Sequence, residues 1–433
     1  MKRLLWNDLL TWKSRKDHKP LILRGVRQCG KTWLLKEFGK HCYPSLAYFN
    51  FEGNPRLHAI FDADLNPDRI IEELQLLQNK RISLDETLII FDEIQFCNKA
   101  LTSLKYFNEN KPEASIIAAG SLLGLALSKP LSFPVGKVDF LDLYPLSFTE
   151  FLMAHDEKLI VEKLSTIQAG ESVPESIHPH LNDLLQAYYY VGGMPEAVLA
   201  WVHNHDPEDV TRIQKSILES YELDFAKHAP DREFEKLSAI WQAVPAQLAQ
   251  ENQKFIFNRV KTGSRGRDLE GALQWLISAG LVYKVPKIEK PGIPMSAYTD
   301  DCYFKIYLCD VGLMRAMTDI PFLSIRQKDP FFTEFRGALT ENFALTELIS
   351  THLKPVFWRS KQTAEVDFVC HIGQHLVPIE VKAADNVTSR SLSVYIDKYK
   401  PDIAIRLSTK NAGSTPPLYS VPLYLTNRLV SWF

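Results

Sequence analysis

Through the first third of the chain, short unbroken apolar runs alternate with stretches whose apolar residues return every three or four positions. The runs at Leu21–Leu23, Leu46–Glu52, Thr87–Asp92 and Ser115–Ala119 predict buried strands. The periodic stretches beginning at Trp33–Phe38, around Ile70–Leu74 and over Leu101–Asn108 predict the helices between them. A short helix over residues 4–12 precedes the first strand, and its Trp6 and Trp12 read as core residues rather than as a platform for an adenine. Strands alternating with helices build a parallel sheet covered on both faces, an α/β fold whose ligands bind at the carboxyl ends of the strands.

From about 155 to 235 the pattern becomes helical, with a polar, proline-containing loop over residues 165–179 and a turn at Val191–Met194 that feeds a helix starting at Pro195. Helices over Phe234–Gln250 and Asp268–Ala279, then strands at Gly280–Val285 and Tyr303–Leu308, predict a winged helix. Between those helices Lys254, Arg259, Lys261, Arg265 and Arg267 form a basic cluster without intervening acids. It suits either DNA phosphate contact or a solvated linker. Beyond residue 320 the sequence predicts an amphipathic helix at Gly337–Leu348, strands at Glu365–Val369 and Pro378–Lys382, a helix at Ser391–Tyr399 and a strand at Ile403–Leu407.

Composition narrows this picture. A chain of 433 residues holds about three domains at roughly 150 residues each. With 45% hydrophobic and 24% charged residues it has the make-up of a globular protein with sizeable cores. A net charge of -2 gives no global basic field, so any nucleic-acid surface must be local. The six cysteines at 29, 42, 97, 302, 309 and 370 are scattered, which argues against a disulfide framework or a zinc ribbon and for a reducing compartment. The basic N-terminus lacks a sustained apolar core and a cleavage site. No apolar run approaches the roughly 18 residues of a membrane helix. A cytoplasmic protein without a membrane partner is expected.

The candidate chemistry begins where the first strand ends. Gly25-Val26-Arg27-Gln28-Cys29-Gly30-Lys31-Thr32-Trp33 spells G-x-x-x-x-G-K-T between an apolar run and a helix pattern, the setting in which backbone N–H groups cradle a polyphosphate. Lys31 then faces the β/γ-phosphates of ATP and Thr32 takes Mg²⁺. Cys29 reads as a small filler, or as a thiol that makes nucleotide binding oxidation-sensitive. The run ending Asp92-Glu93 supplies a metal-holding acid, Asp92, and a water-orienting or proton-accepting one, Glu93. Ser121, at the end of the next strand, is placed to sense the γ-phosphate or to cap a helix. In the C-terminal part, strand alternation puts Glu365 with Asp367 on one face and Glu380 with Lys382 on another. Asp367 and Glu380 as Mg²⁺ ligands, with Lys382 positioning water, suit phosphodiester cleavage.

The motifs G-V-R-Q-C-G-K-T, F-D-E-I-Q, A-G-S and Y-P-L-S-F-T-E-F, in this order, resemble a family of AAA-superfamily ATPases found mainly in bacteria and archaea, whose members carry a nuclease-like C-terminal domain. The resemblance spans nearly the whole chain. It implies a P-loop AAA-type domain over 1–155, a helical lid over 156–235 that includes the Gly192–Glu196 turn, a winged helix over 236–315 and a restriction-endonuclease-like α/β domain over 316–433. In that last domain, the order D…E-x-K after a helix bearing Glu341 resembles restriction-endonuclease-like nucleases. The family's Gly-Arg before the P-L-S-F segment, a candidate trans-acting finger, is Gly136-Lys137 here, and lysine lacks the planar fork of arginine. The expected function is a Mg-ATP-dependent ATPase whose nucleotide state controls a module acting on or near DNA. The alternative is a slow nucleotide-gated switch with an inactive nuclease-like domain. A protein partner and a homo-oligomer are the further expectations.

Overall fold

The four apolar runs of the first third and one further segment become a parallel sheet: β1 (Leu21–Arg24), β2 (Ser45–Asn50), β3 (Thr87–Asp92), β4 (Ile116–Ala119) and β5 (Asp139–Asp142). The order is β2-β3-β4-β1-β5, and every neighbouring pair is parallel. β3 and β4 are buried along their whole length, as central strands covered on both faces must be. β5 lies outside the expected strands, because acids stand at both its ends and none of its four residues is buried. In the computed structural model the described residues are 1–121, 123, 136–229, 231–250, 254–261, 263, 266–326, 333–360, 364–383 and 390–433. They fall into two compact units, one of residues 2–144 with 278–280 and the other of residue 1 with 145–277 and 281–433.

In the first unit the helices Lys31–Cys42, Pro55–Ala63, Pro67–Gln78 and Asn98–Asn110 follow the strands in turn. Asn54 and Asn66 accept from the backbone N–H groups of Leu57 and Asp68, and a proline stands in the first turn of each helix they cap. The core is aromatic: the Phe91 ring lies 5.6, 5.8 and 6.5 Å from those of Phe51, Phe61 and Phe107. Trp12 is buried and its indole N–H donates to the Lys19 carbonyl, while Trp6 packs edge-on against Phe38. Parallel strands end on one edge, so the loop after β1 and the acids after β3 emerge together there.

The second unit begins with helices Phe148–Ala154, Lys158–Thr166, His178–Val191, Pro195–Asn204 and Pro207–His228. The segment between the second and third of these corresponds to the expected polar loop, and the helix after the Gly192-Gly193 turn starts at Pro195. Three further helices, Asp231–Leu248, Phe257–Val260 and Gly266–Ser278, lead into an eight-stranded mixed sheet. Its strands are β6 (Val282–Ile288), β7 (Thr299–Leu308), β8 (Val356–Arg359), β9 (Glu365–Ile372), β10 (His375–Val381), β11 (Ala404–Ser408), β12 (Gly413–Thr415) and β13 (Leu418–Pro422), in the order β12-β13-β11-β10-β9-β8-β6-β7. The hairpin β6–β7 that the sequence suggests as a wing is thus hydrogen-bonded, through the parallel pair β6–β8, into the sheet that carries Asp367 and Glu380. Helices Thr333–Ser350 and Arg390–Tyr399 accompany this sheet. Among the described residues no helix is long and apolar enough to cross a membrane, and all six cysteines are free.

Candidate functional site

The phosphate-loop segment runs from the end of β1 to the helix that opens at Lys31. A side chain at Gly25 would collide with the Leu143 carbonyl oxygen, and Gly30 has φ 94°, so both positions call for glycine. Gln28 also adopts a left-handed conformation, while Val26 and Cys29 are buried beneath the loop. Arg3, itself buried, donates to the Cys29 carbonyl at 2.8 Å. The basic N-terminus thus braces the loop, a contact that depends on where the chain returns and has no local pattern in the sequence. Arg27 is half-buried, and Trp33 is 46% exposed on the first turn of the helix.

Lys31 is turned into its own loop. Its Nζ donates to the carbonyls of Gly25 and Val26, both at 2.8 Å, and lies 4.0 Å from Cys29 Sγ. Thr32 Oγ1 donates to Asp92 Oδ2 at 2.7 Å, and Tyr48 Oη donates to the same oxygen at 2.8 Å. Asp92 Oδ1 accepts the Glu93 N–H at 3.1 Å, so this buried carboxylate is engaged at both oxygens. Burial and then Asp92 itself hold the Tyr48 phenol well above its ordinary range, which keeps it a donor. Tyr48 pairs with Ile90 across β2–β3, and Asp92 is two residues further on the same face. That register, invisible in the sequence, makes the contact.

Glu93 follows β3 in a left-handed conformation, φ 51°. Its Oε2 accepts from Gln95 Nε2 and, at 3.3 Å, from both the N–H and the hydroxyl of Ser121. Ser121 is therefore brought to Glu93, as a polar pin on the carboxylate. Gln95 is the missed partner, although it stands in the F-D-E-I-Q run. Lys137 forms an ion pair with Glu109 at 3.1 Å.

The residues present fit a magnesium nucleotide. Mg²⁺ typically takes one or two protein oxygens and fills its shell from phosphate and water. Thr32 and Asp92 offer such a pair, already 2.7 Å apart, at the start of a 12-residue helix reached through a loop that excludes side chains at Gly25.

The C-terminal acids also come together, joined by Lys305, Tyr307 and Arg359. Lys305 Nζ lies 3.0 Å from Glu341 Oε1 and 2.7 Å from Glu365 Oε1. Tyr307 donates its hydroxyl to Glu341, and Arg359 stands 3.6 Å from Glu365. Asp367 Oδ2 accepts the Val381 N–H at 2.7 Å, and Lys382 Nζ meets Glu380 Oε1 at 2.7 Å. Burial, then Glu380 and Glu341, push the Asp367 carboxyl well above its ordinary value. Burial pulls the Lys305 ammonium down, but Glu341, Glu365 and Asp367 more than offset it and hold it charged. The signal for Lys305 was a lone charge inside the apolar strand Phe304–Leu308. Among the described residues no three His, Cys, Asp or Glu side chains are disposed to hold a metal ion. Lys305 is thus seated between Glu341 and Glu365, while Asp367 and Glu380, the expected metal ligands, are met by the Val381 N–H and by Lys382.

Of the basic cluster, Lys254 stacks over the Tyr303 ring at 4.1 Å and Arg267 lies 3.7 Å from Asp268, while Arg259 and Lys261 are exposed. Arg265 lies outside the described residues.

Residues 17–152 match the model of an AAA domain; residues 182–324 and 336–421 match two domains of unknown function, DUF8612 and DUF4143. No curated protein matches the sequence. Among solved structures, a Walker-type ATPase of Pyrococcus abyssi is similar at 14% identity, over 72% of this chain and 94% of that one, with a TM-score of 0.45. AMPPCP-bound DnaA from Aquifex aeolicus is similar at 15% identity, over 61% and 73%, with a TM-score of 0.27. Cdc6p from Pyrobaculum aerophilum is similar at 14% identity, over 73% and 92%, with a TM-score of 0.24. The N-terminal unit carries an AAA-type P-loop domain.

Proposed function

We propose that the chain is a Mg-ATP-dependent ATPase whose nucleotide state controls its C-terminal half, which acts on or near DNA. The observation that carries the reading is the shared carboxylate oxygen: Thr32 at the start of the loop helix and Asp92 at the end of β3 meet at 2.7 Å, the two ligands a nucleotide-borne metal needs from the protein. Lys31 exchanges the Gly25 and Val26 carbonyls for phosphate oxygens, which replaces neutral acceptors by charged ones. Bound Mg²⁺ supplies charge neutralisation on the phosphate oxygens. Glu93, once released by Gln95 and Ser121, orients the attacking water and takes its proton. The basic residues Arg259 and Lys261, with Lys254 beside Tyr303, support a local phosphate-contacting surface on an otherwise near-neutral chain.

Two substitutions test the nucleotide reading. Lys31→Ala is expected to abolish nucleotide binding or turnover, and Glu93→Gln to retain ATP unhydrolysed. Parental turnover in both overturns it. A second reading, a slow nucleotide-gated switch, is favoured by the Lys137–Glu109 ion pair, which commits the lysine that stands in the finger position to a carboxylate. Fast hydrolysis stimulated by DNA removes the switch and retains the first reading.

A further inference from the structure

A lysine stands inside the C-terminal acid cluster. Lys305 is 1% exposed, on a strand whose neighbouring residues are apolar or aromatic, and its ammonium bridges Glu341 on the helix Thr333–Ser350 and Glu365 on β9. Tyr307 shares the strand face with Lys305 and donates to the same Glu341 oxygen that the ammonium meets. The Phe357 ring lies 5.1 Å from the ammonium. Glu380 has Lys382, Asp367 has the Val381 N–H, and Glu365 has Arg359 as well. Each of the four carboxylates thus has at least one oxygen met by a cation or an N–H of the chain itself.

An ammonium and a divalent ion compete for such ground. Both need anionic oxygens in a dry pocket, and two positive centres placed side by side there repel strongly because little water screens them. We propose that Lys305 is the resident cation of this cluster, holding Glu341 and Glu365 together in place of a divalent ion and excluding metal from Asp367 and Glu380. The strand β7 brings that cation into the sheet of β9 and β10, so the hairpin is tied to the acids by charge as well as by backbone pairing. Removing the charge while keeping the stem leaves buried carboxylates without their counter-ion, and a divalent cation is then the available replacement. This inference stands apart from the nucleotide reading, since nothing in it uses ATP.

The test titrates Mn²⁺ into the full chain without nucleotide and reads bound metal by electron paramagnetic resonance. An Asp92→Asn background removes the nucleotide-site carboxylate from the measurement. The expected result is that this protein and its Asp367→Asn derivative bind Mn²⁺ alike, whereas adding Lys305→Met creates a new bound Mn²⁺ that Asp367→Asn removes again. Mn²⁺ bound by the lysine-containing protein and lost with Asp367→Asn overturns the proposal, as does a folded Lys305→Met protein with no gain. If Lys305→Met does not fold, the first pair decides alone. Nicking of supercoiled DNA with Mn²⁺ by the parental chain, abolished by Asp367→Asn, also overturns it, because it would show a metal entering with the substrate.

Discussion

Asp92 Oδ2 receives two hydroxyls, and they are not equivalent. Thr32 comes from the loop helix and is the residue a metal would share, whereas Tyr48 comes from the neighbouring strand and only holds the carboxylate in place. A hydrogen bond to a charged acceptor contributes roughly 1.5–3 kcal/mol, so Tyr48→Phe is expected to lower the stability of the N-terminal unit by about that amount, read as a shift in its urea midpoint. No change would mean that water replaces the phenol at no cost. Thr32→Val is expected to cost turnover as well as stability, and retained Mg-ATP hydrolysis would remove Thr32 from the metal. The sequence revealed Asp92 and Glu93 because acids closing an apolar strand after a P-loop follow a local pattern. Tyr48, Gln95 and Arg3 stayed hidden, because their contacts depend on strand register, on the left-handed turn at Glu93 and on where the N-terminal segment returns.

At the level of elements, the helix Phe148–Ala154 shows how a terminus can carry a pH dependence. Ser147 and Glu150 form a capping box, and the Phe148 N–H donates at 2.8 Å to Glu347 on the helix Thr333–Ser350. Burial, and to a lesser extent Glu150, push the Glu347 carboxyl up to about 8, against the pull of the Phe148 N–H. Its folded value lies above the ordinary carboxylate value, so the folded state holds a proton that the unfolded chain has lost. Stability from this group is full below about pH 4, and is lost as pH rises through about 8. Glu347→Gln keeps an acceptor for Phe148 and removes the titration. Unfolding free energies from urea titrations between about pH 5 and pH 8.5 should therefore fall more steeply for the parental protein than for the variant, by a few kcal/mol over the window; equal slopes would rule Glu347 out as their source. The elements themselves were unequally legible. β1 to β4 are apolar and bounded by polar residues, so the sequence displays them. β5, β12 and β13 are short and partly exposed, so no run of their own marks them, whereas the Val356–Trp358 run of β8 is as apolar and as buried as that of β1.

At the scale of the whole molecule, a chain of two compact units should not unfold in one step. The sequence suggested four segments by changes of periodicity, but periodicity does not report which strands pair. β6 meets β8 across a long stretch of chain, which puts the hairpin and the strands bearing Asp367 and Glu380 in one sheet. The phosphate loop, Asp92 and Glu93 all belong to the unit of residues 2–144. A ligand that binds only the folded form of a unit stabilises that unit by RT ln(1 + [L]/Kd), about 2.7 kcal/mol at roughly a hundredfold excess over Kd. Calorimetry of the full chain should therefore resolve two transitions. A non-hydrolysable ATP analogue with Mg²⁺ should raise one of them and leave the other near its starting temperature, and Lys31→Ala should abolish the rise. If the analogue moves both transitions by the same increment, the two units unfold as one cooperative body. If it moves neither in the parental chain while Thr32 and Asp92 are intact, the loop does not take the nucleotide, and the reading of Lys31, Thr32 and Asp92 as one site falls with it.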